Sequence, residues 1–219
     1  MKVVFYDFLH RQKEWMLEKA TSSLGTIEAN PLDRLNAIVR ATPRLMRVLE
    51  TARALDLPDW LVFSGAVYQR VLNHLTGRPA DYGVRDYDLG YFDASDISYE
   101  AEDRVIRRVA AAFDEELRGV VEVRNQARVH LWFEDHFGEP YTPLSCTAEA
   151  LERFVSPMFA VGVRLDPDDR LHIEAPFGLA DLFTLRLRPN PLRPFRNFPR
   201  VAAGVTGRWP EVAVDLSGP

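Results

Sequence analysis

The feature that most constrains this chain is a short stretch that alternates like a buried β-strand yet carries two carboxylates. Residues 84–92 read VRDYDLGYF, which places Asp86 and Asp88 two positions apart. Successive side chains of an extended backbone point to opposite faces, so this spacing predicts both carboxylates on one face of a strand. Two adjacent carboxylates repel each other and resist burial. Because a divalent cation between them would compensate both effects, the pattern predicts a metal site. The alternative is a solvent-facing strand edge.

Composition narrows the class of protein. The 219 residues suit one ordinary domain, and a hydrophobic fraction of 47% is enough for a core. The net charge of −5 argues against a dominant basic surface for nucleic acid. The single cysteine, Cys146, excludes an intramolecular disulfide and fits a reducing compartment. Charged residues interrupt residues 1–17, which predicts neither a secretory signal nor a membrane span. We therefore expect a cytoplasmic protein without membrane association; the sequence gives no indication of its oligomeric state.

Helical signals dominate the first third of the chain. A helix is predicted over residues 7–20, and Asn30-Pro31 and Thr42-Pro43 each resemble a cap followed by proline at the first helical position. The first of these pairs opens a helix to about residue 41. After the second, apolar residues recur at helical spacing as far as Leu55. These signals predict a helical segment over residues 1–58 that packs on the core.

Strands and helices alternate in the middle of the chain. Strands are predicted over residues 60–63, 84–92, 120–123, 160–165 and 171–175, the last two as a hairpin. Helices are predicted over residues 67–76, from a Ser95-Asp96 cap to Gly119, and over residues 125–133, 147–154 and 177–187. This order implies an α/β (α+β) fold in which helices pack on a mixed sheet. Prolines after Arg188 predict an irregular tail over residues 192–219, which leaves a core over residues 59–191 in one compact domain.

Two further features accompany the aspartate pair. The strand that ends at Phe63 is followed by Ser64, Gly65 and a helix. A glycine there lets backbone amides approach a phosphate, and the start of the helix adds partial positive charge. Glu122 places a third carboxylate on a later strand. Together these features describe a phosphate cradle facing a metal site of three carboxylates.

This pattern resembles the DNA polymerase beta-like nucleotidyltransferase superfamily. The resemblance rests on a strand, a small residue with glycine, a helix, and then Asp-hydrophobic-Asp on the next strand, here Phe63 to Ala66 and Asp86 to Asp88. The chain is also similar to a bacterial group of small nucleotidyltransferase-like proteins whose acceptor is uncharacterised. That similarity rests on residues 86–93, 125–130, 175–183 and 188–191.

The resemblance implies an enzyme that transfers a nucleoside monophosphate from a nucleoside triphosphate, ATP as the commonest choice, to an acceptor hydroxyl, with release of pyrophosphate. Mg²⁺ or Mn²⁺ would bridge the phosphates to Asp86 and Asp88, and Glu122 would help to activate the acceptor. The candidate nucleotide-binding residues are Ser64, Gly65, Arg70, Arg85, Asn125 and Arg128. The acidic composition favours a small-molecule or protein acceptor over nucleic acid.

Several of these assignments have structural alternatives. Glu122 could pair with Arg124 or Arg128 and bind no metal, and Gly65 could serve a tight turn alone. Arg70 and Arg85 could form surface ion pairs. The polar residues after the third strand, with Asn125 first among them, could form a buried hydrogen-bond network that supports the sheet.

Other functions fit the sequence less well. Ala66 follows Gly65 where the superfamily usually has glycine or serine, so a catalytically inactive protein that binds a nucleotide or a partner protein is the main alternative. A glycosyltransferase would need a longer nucleotide-binding region before its Asp-x-Asp motif. A phosphatase with an aspartyl nucleophile would carry that motif on its first strand.

Overall fold

The computed structural model describes residues 30–193 and 195–216. The helix predicted over residues 7–20 lies outside the described residues. Within them, no helix combines the length and the apolar character that a bilayer-spanning segment needs.

Two helices begin the described chain, as predicted. Helix α1 (Pro31–Arg40) starts where the Asn30 side chain accepts a hydrogen bond from the backbone N–H of Leu32. Helix α2 (Pro43–Leu55) also begins with proline, but its Thr42 hydroxyl donates to the carbonyl of Ile38 and does not cap the helix. The apolar stripe of α2 is buried in the main core.

The main sheet has five strands in the order β3-β2-β1-β4-β5. Its strands are β1 (Leu61–Phe63), β2 (Tyr87–Tyr91), β3 (Val121–Asn125), β4 (Gly162–Leu165) and β5 (Leu171–Glu174). Strand β2 runs antiparallel to β1 and parallel to β3, and β4 and β5 form the predicted antiparallel hairpin. The sheet is therefore mixed, which confirms the predicted fold class.

The two faces of this sheet differ in character. A row of apolar side chains crosses one face and belongs to the main core: Val123, Leu89, Val62 and Val163. Helices α1 and α2, α3 (Gly65–Leu75) and α4 (Tyr99–Ala112) contribute to the same core. On the opposite face, Leu61 and Phe63 belong to a separate, smaller cluster. Because one face is occupied by helices, the other is available for a site.

The helix between β2 and β3 begins and ends differently from the prediction. The cap is Ser98, whose hydroxyl accepts a hydrogen bond from Ala101, whereas Asp96 accepts one from the Ser98 backbone and closes a turn before it. The predicted single helix to Gly119 is wrong, because the chain is extended at Phe113 and Asp114 caps a separate short helix, α5 (Glu115–Arg118).

Several connections after β3 form tight helices. The helix predicted over residues 125–133 is a 3₁₀-helix (Gln126–Leu131) followed by a short helix α6 (Phe133–Phe137). The helix predicted over residues 147–154 is likewise a 3₁₀-helix (Ala148–Arg153), and another such turn (Pro157–Phe159) precedes β4. The helix predicted over residues 177–187 is reduced to α7 (Ala180–Phe183), and strand β6 (Arg186–Leu187) follows.

The prediction of an irregular C-terminal tail is wrong. Helix α8 (Phe198–Arg208) follows, and β7 (Ala213–Val214) pairs with β6 in a second, two-stranded sheet. Pro199 occupies the first turn of α8, where a missing N–H costs nothing. Trp209 is fully buried, and its indole N–H donates to Asn73 Oδ1 at 2.9 Å. The C-terminal region therefore packs into the core and supports the loop before β2, because Asn73 also binds two carbonyls of that loop.

Candidate active site

The carboxylate of Asp88 lies in a row of side chains on the sheet face away from the main core. Asp88 pairs in register with Phe63 of β1 and with Glu122 of β3. Paired residues point to the same face, and neighbouring strands lie about 4.8 Å apart, so Asp88 and Glu122 are adjacent carboxylates. The sheet thus joins two acidic residues that are far apart in the sequence.

Gly90 leaves room for Phe63 beside this row. A Cβ at Gly90 would lie 2.5 Å from Cε1 of Phe63 and 3.1 Å from Cγ2 of Thr147. The ring of Phe63 therefore occupies the space that any side chain at position 90 would fill. This close approach explains the glycine inside the strand.

Ser64 connects the start of α3 to Asp88. The backbone of Ser64 has φ of 63°, a conformation that non-glycine residues rarely adopt. Its hydroxyl does not cap α3 and donates a hydrogen bond to Asp88. At the next position, a Cβ on Gly65 would lie 2.8 Å from Nε2 of Gln69, so the helix begins in a tightly packed turn. The strained backbone at Ser64 holds its hydroxyl on the carboxylate.

Burial and acidic neighbours make Asp88 an unusual carboxyl group. Burial raises the pKa of Asp88 from 3.8 to about 6, and the hydrogen bond from Ser64 partly opposes that rise. The charges of Asp86 and Glu122 raise the pKa further, whereas Arg124 lowers it. Asp86 lies one residue before β2, close enough for its negative charge to raise the pKa of Asp88. Ionised Asp88 is costly in this position unless a cation compensates it.

The donor chemistry of this group suits a hard divalent cation, since all its donors are oxygens. Glu122 is half exposed, and its carboxylate lies 3.9 Å from the guanidinium of Arg124. This distance agrees with the alternative that Glu122 pairs with an arginine. Within residues 30–193 and 195–216, no three His, Cys, Asp or Glu side chains are grouped so that they could hold a metal ion. The residues thus form an adjacent pair, Asp88 and Glu122, with Asp86 alongside.

A cavity of about 440 Å³, here called the aromatic cavity, opens onto Asp88 and Glu122. Nine of the 22 residues that line it are aromatic, and these include Tyr68, Trp132, Phe133, Phe137, Tyr141 and Phe195. The volume lies in the range of small-molecule sites. This cavity was not predicted from the sequence, because its wall is assembled from residues between 63 and 197 that meet only in the folded chain. The aromatic run at 132–141, in an otherwise polar segment, was the one local signal.

A second cavity of about 470 Å³, here called the arginine cavity, lies beside Asp86. Arg85 and Arg208 line it, together with Gln69, whose Oε1 is buried without a hydrogen-bond partner in the described chain. Tyr68 lies between the two cavities, because it lines the aromatic cavity while its hydroxyl interacts with Gln69 and Arg208. Asp86 and Asp88 thus border different cavities.

Arg70, a candidate nucleotide ligand, does not reach either of these two cavities. Its side chain is 1% exposed and donates to Asp81 at 2.8 Å, to the Tyr87 hydroxyl at 2.7 Å, and to the carbonyl of Ala66. These contacts fix α3 against β2 and the loop before it. The structure thus places Arg70 in the framework beneath the site.

Asn125 and Arg128 also occupy structural positions. The Asn125 side chain accepts hydrogen bonds from the backbone N–H groups of Asp93 and Ala127 and donates to the Asp93 carbonyl. Arg128 forms a buried ion pair with Glu102, which also accepts a hydrogen bond from the Asn125 backbone. This is the hydrogen-bond network that the sequence analysis held as an alternative. Of the six candidate nucleotide-binding residues, Ser64, Gly65 and Arg85 therefore remain near the carboxylates.

Comparison with known proteins agrees with this geometry. The family described as nucleotidyltransferase matches residues 50–214, about three quarters of the chain. An NMR structure described as revealing a CCA-adding enzyme head domain has 21% sequence identity and a TM-score of 0.67. The alignment covers 88% of this chain and 98% of that one. A search of curated proteins found no match. At this identity the structural likeness establishes the fold alone, whereas the family match confirms the predicted nucleotidyltransferase enzyme: the chain belongs to the nucleotidyltransferase family.

Proposed function

We propose that this protein is a metal-dependent enzyme that transfers a nucleoside monophosphate from a nucleoside triphosphate to an acceptor hydroxyl and releases pyrophosphate. The observation that carries the proposal is the environment of Asp88. Its half-buried carboxylate has Glu122 on the adjacent strand, Asp86 alongside and the Ser64 hydroxyl bound to it, at the start of a helix. Such a group of like charges favours a cation, and a helix start favours a phosphate.

Asp88 and Glu122, with Asp86 alongside, are the residues that would hold Mg²⁺ or Mn²⁺, and oxygens of the substrate phosphates would have to complete the site, because the carboxylates of the described chain are not grouped as a metal site by themselves. When bound, such an ion supplies charge neutralisation to the phosphates in the transition state. The fit rests on oxygen donors and on the raised pKa of Asp88, which a nearby cation would lower again.

Residues of the protein orient the carboxylate, bind the phosphates and accept the proton. Ser64 orients Asp88, and the first backbone N–H groups of α3 face the phosphates. Glu122 accepts the proton of the acceptor hydroxyl as the oxygen–phosphorus bond forms at the α-phosphorus. The bond between the α-phosphorus and its bridging oxygen then breaks, and pyrophosphate leaves. Positioning and charge supply most of the rate enhancement. Nothing in this scheme selects one nucleobase, and ATP is proposed as the commonest triphosphate.

A second candidate keeps nucleotide binding and omits catalysis. It is favoured by Glu122, which is half exposed and lies close to Arg124, so that its carboxylate has an alternative partner. Release of pyrophosphate separates the two candidates, because only the transferase produces it.

The test is the thermal stability of the protein with magnesium and each of the four common nucleoside triphosphates. We expect at least one of them to raise the melting temperature of the wild type, and Asp88→Asn to abolish that rise. Asp93→Asn is the matched control, because Asp93 follows the same strand but hydrogen-bonds to Ser95, and this variant should keep the response. No response to any triphosphate, or an equal response in Asp88→Asn, would contradict the proposal. Pyrophosphate release with pooled hydroxyl acceptors then tests turnover.

We also propose a cytoplasmic location, because the single cysteine, Cys146, is free and such usage fits a reducing compartment. A fluorescent fusion to the full chain would test it.

A further inference from the structure

The two cavities beside the carboxylates have opposite chemistry, and we infer from this, on the basis of the proposed function, that the acceptor is a small phenolic carboxylic acid bound in the aromatic cavity. Its hydroxyl would face Glu122 and its carboxylate would contact Arg153.

The arginine cavity suits the departing pyrophosphate. Arg85 makes no hydrogen bond or ion pair within the described chain, and it lies beside Asp86. Arg208 bonds to neutral groups only, the Gly204 carbonyl and the Tyr68 hydroxyl, and it stacks on Trp209 at 4.6 Å. Two arginines without carboxylate partners attract a polyanion.

The geometry of displacement then places the acceptor. An in-line displacement requires the attacking oxygen to approach opposite the leaving group. If pyrophosphate leaves on the side of Asp86, the acceptor approaches from the side of Asp88 and Glu122. That side is the aromatic cavity, which shares no lining residue with the arginine cavity.

The wall of the aromatic cavity indicates a planar, largely apolar ligand. Phe133 lies 4.6 Å from Phe137 and 4.5 Å from Tyr141 between ring centroids, and Trp132 adjoins both phenylalanines. These rings stand in a cavity with space for a small molecule, and an aromatic ring is the group that such walls bind most favourably.

Arg153 supplies the reason for a carboxylate on the ligand. Two other arginines of this cavity are matched, Arg193 by a close ion pair with Glu139 and Arg124 by Glu122. Arg153 interacts with Glu149 only at longer range, has no carboxylate within ion-pair distance in the described chain, and its buried Nε lacks a hydrogen-bond partner. Its guanidinium lies 5.9 Å from the centre of the Tyr141 ring. A guanidinium without a direct ion pair beside an aromatic wall is stabilised by an anionic ligand.

The charge balance of the protein argues against a nucleic-acid acceptor. Aromatic walls can also stack nucleobases. However, the three acidic residues that line this cavity, Asp88, Glu122 and Glu139, are matched in number by its three arginines, and the chain as a whole carries a net charge of −5. A cavity without an excess of positive charge does not attract a phosphodiester backbone, whereas a single carboxylate needs only Arg153.

The reaction balances without a further reactant. The phenolic O–H loses its proton to Glu122, its oxygen bonds to the α-phosphorus, and pyrophosphate leaves with the electrons of the broken bond. The product is an aryl nucleotide phosphodiester.

The test is calorimetric titration of the full chain with 3-(4-hydroxyphenyl)propionate, without metal or nucleotide. We expect binding that Arg153→Met weakens about tenfold and Arg153→Lys largely preserves. The propionamide analogue, which lacks the charge, should bind wild type and Arg153→Met equally. Arg107→Met, an exposed position on α4, is the control and should bind like the wild type. Trp132→Ala should weaken binding of the acid and binding of the amide by a similar factor, because both ligands share the aromatic ring. This second variant keeps the test informative if Arg153→Met does not fold.

The proposal is overturned if the acid does not bind at about 10 mM, if Arg153→Met binds it as the wild type does, or if a single-stranded RNA heptamer displaces it from the cavity. Because no nucleotide is present, failure here leaves the nucleotide response of Asp88 intact. Conversely, if the acid binds but no nucleoside triphosphate raises the melting temperature, the ligand site in the aromatic cavity is supported and the proposed transferase activity is contradicted.

Discussion

Replacement of Asp88 by asparagine should stabilise the metal-free protein while it abolishes the response to nucleotide. Burial holds the pKa of Asp88 at about 6, well above its ordinary value of 3.8. A carboxyl with a raised folded pKa binds more protons in the folded state between these two values, so its contribution to stability falls as the pH rises through that window. The rise in pKa corresponds to about 3 kcal/mol lost near pH 7.5. Asparagine carries no charge and can still accept the hydrogen bond from Ser64.

The assay is thermal unfolding in chelator near pH 7.5 and near pH 4.5. For a chain of this size, 3 kcal/mol corresponds to a rise in Tm of about 6–12 °C at the higher pH. Near pH 4.5 most of the difference should disappear, because Asp88 is then largely protonated in the folded wild type. Asp93→Asn is the control of opposite sign. Hydrogen bonds from Ser95 lower the pKa of Asp93, so its loss should reduce Tm at the higher pH.

The reasoning would be refuted if Asp88→Asn melted below the wild type near pH 7.5, or if its advantage were equal at both pH values. Either result would mean that the ionised carboxylate is already compensated by the protein. A bound cation would then be unnecessary, and the electrostatic basis of the site would fail.

Three further predictions concern the framework of the site. Gly90→Ala should lower stability by about 1–3 kcal/mol in urea unfolding, because its Cβ would meet a phenylalanine ring, whereas Gly119→Ala, with open space around it, should be nearly neutral. Arg128→Met should cost about 3–5 kcal/mol by leaving the buried Glu102 without its charged partner, and adding Glu102→Gln should restore much of the loss; a double variant no better than the single one would show that the pair is not coupled. Arg70→Met should lower Tm but leave the nucleotide affinity of the folded protein within about twofold in calorimetry, since the guanidinium is enclosed; a large loss of affinity would instead mean a direct phosphate contact.

The parts of the fold that follow from local chemistry could be predicted from the sequence. Asn30 followed by Pro31 fixes a helix start through a cap and a preset backbone angle, and the structure has the helix there. The alternation through residues 87–91 forms the strand that bears Asp88. The hairpin of β4 and β5 also follows from two apolar runs and a turn between them.

The parts that depend on distant partners could not be predicted. The prolines after Arg188 indicated irregular structure, but Pro199 lies in the first turn of a helix that the core anchors through Phe198 and Trp209. Arg128 was predicted to bind a nucleotide because its ion-pair partner, Glu102, lies in an earlier helix, and no local pattern in the sequence indicates that pairing. The aromatic cavity is likewise assembled from segments that meet only after folding. The roles assigned to Asp86, Asp88 and Glu122 stay predictions.

The most direct measurement is a crystal structure with magnesium and a non-hydrolysable nucleoside triphosphate. Our account predicts a cation coordinated by phosphate oxygens and by carboxylates of the group Asp86, Asp88 and Glu122, with the terminal phosphates towards Arg85 and the aromatic cavity still open for the acceptor. A triphosphate bound elsewhere, or bound at Asp88 with no cation between them, would contradict it.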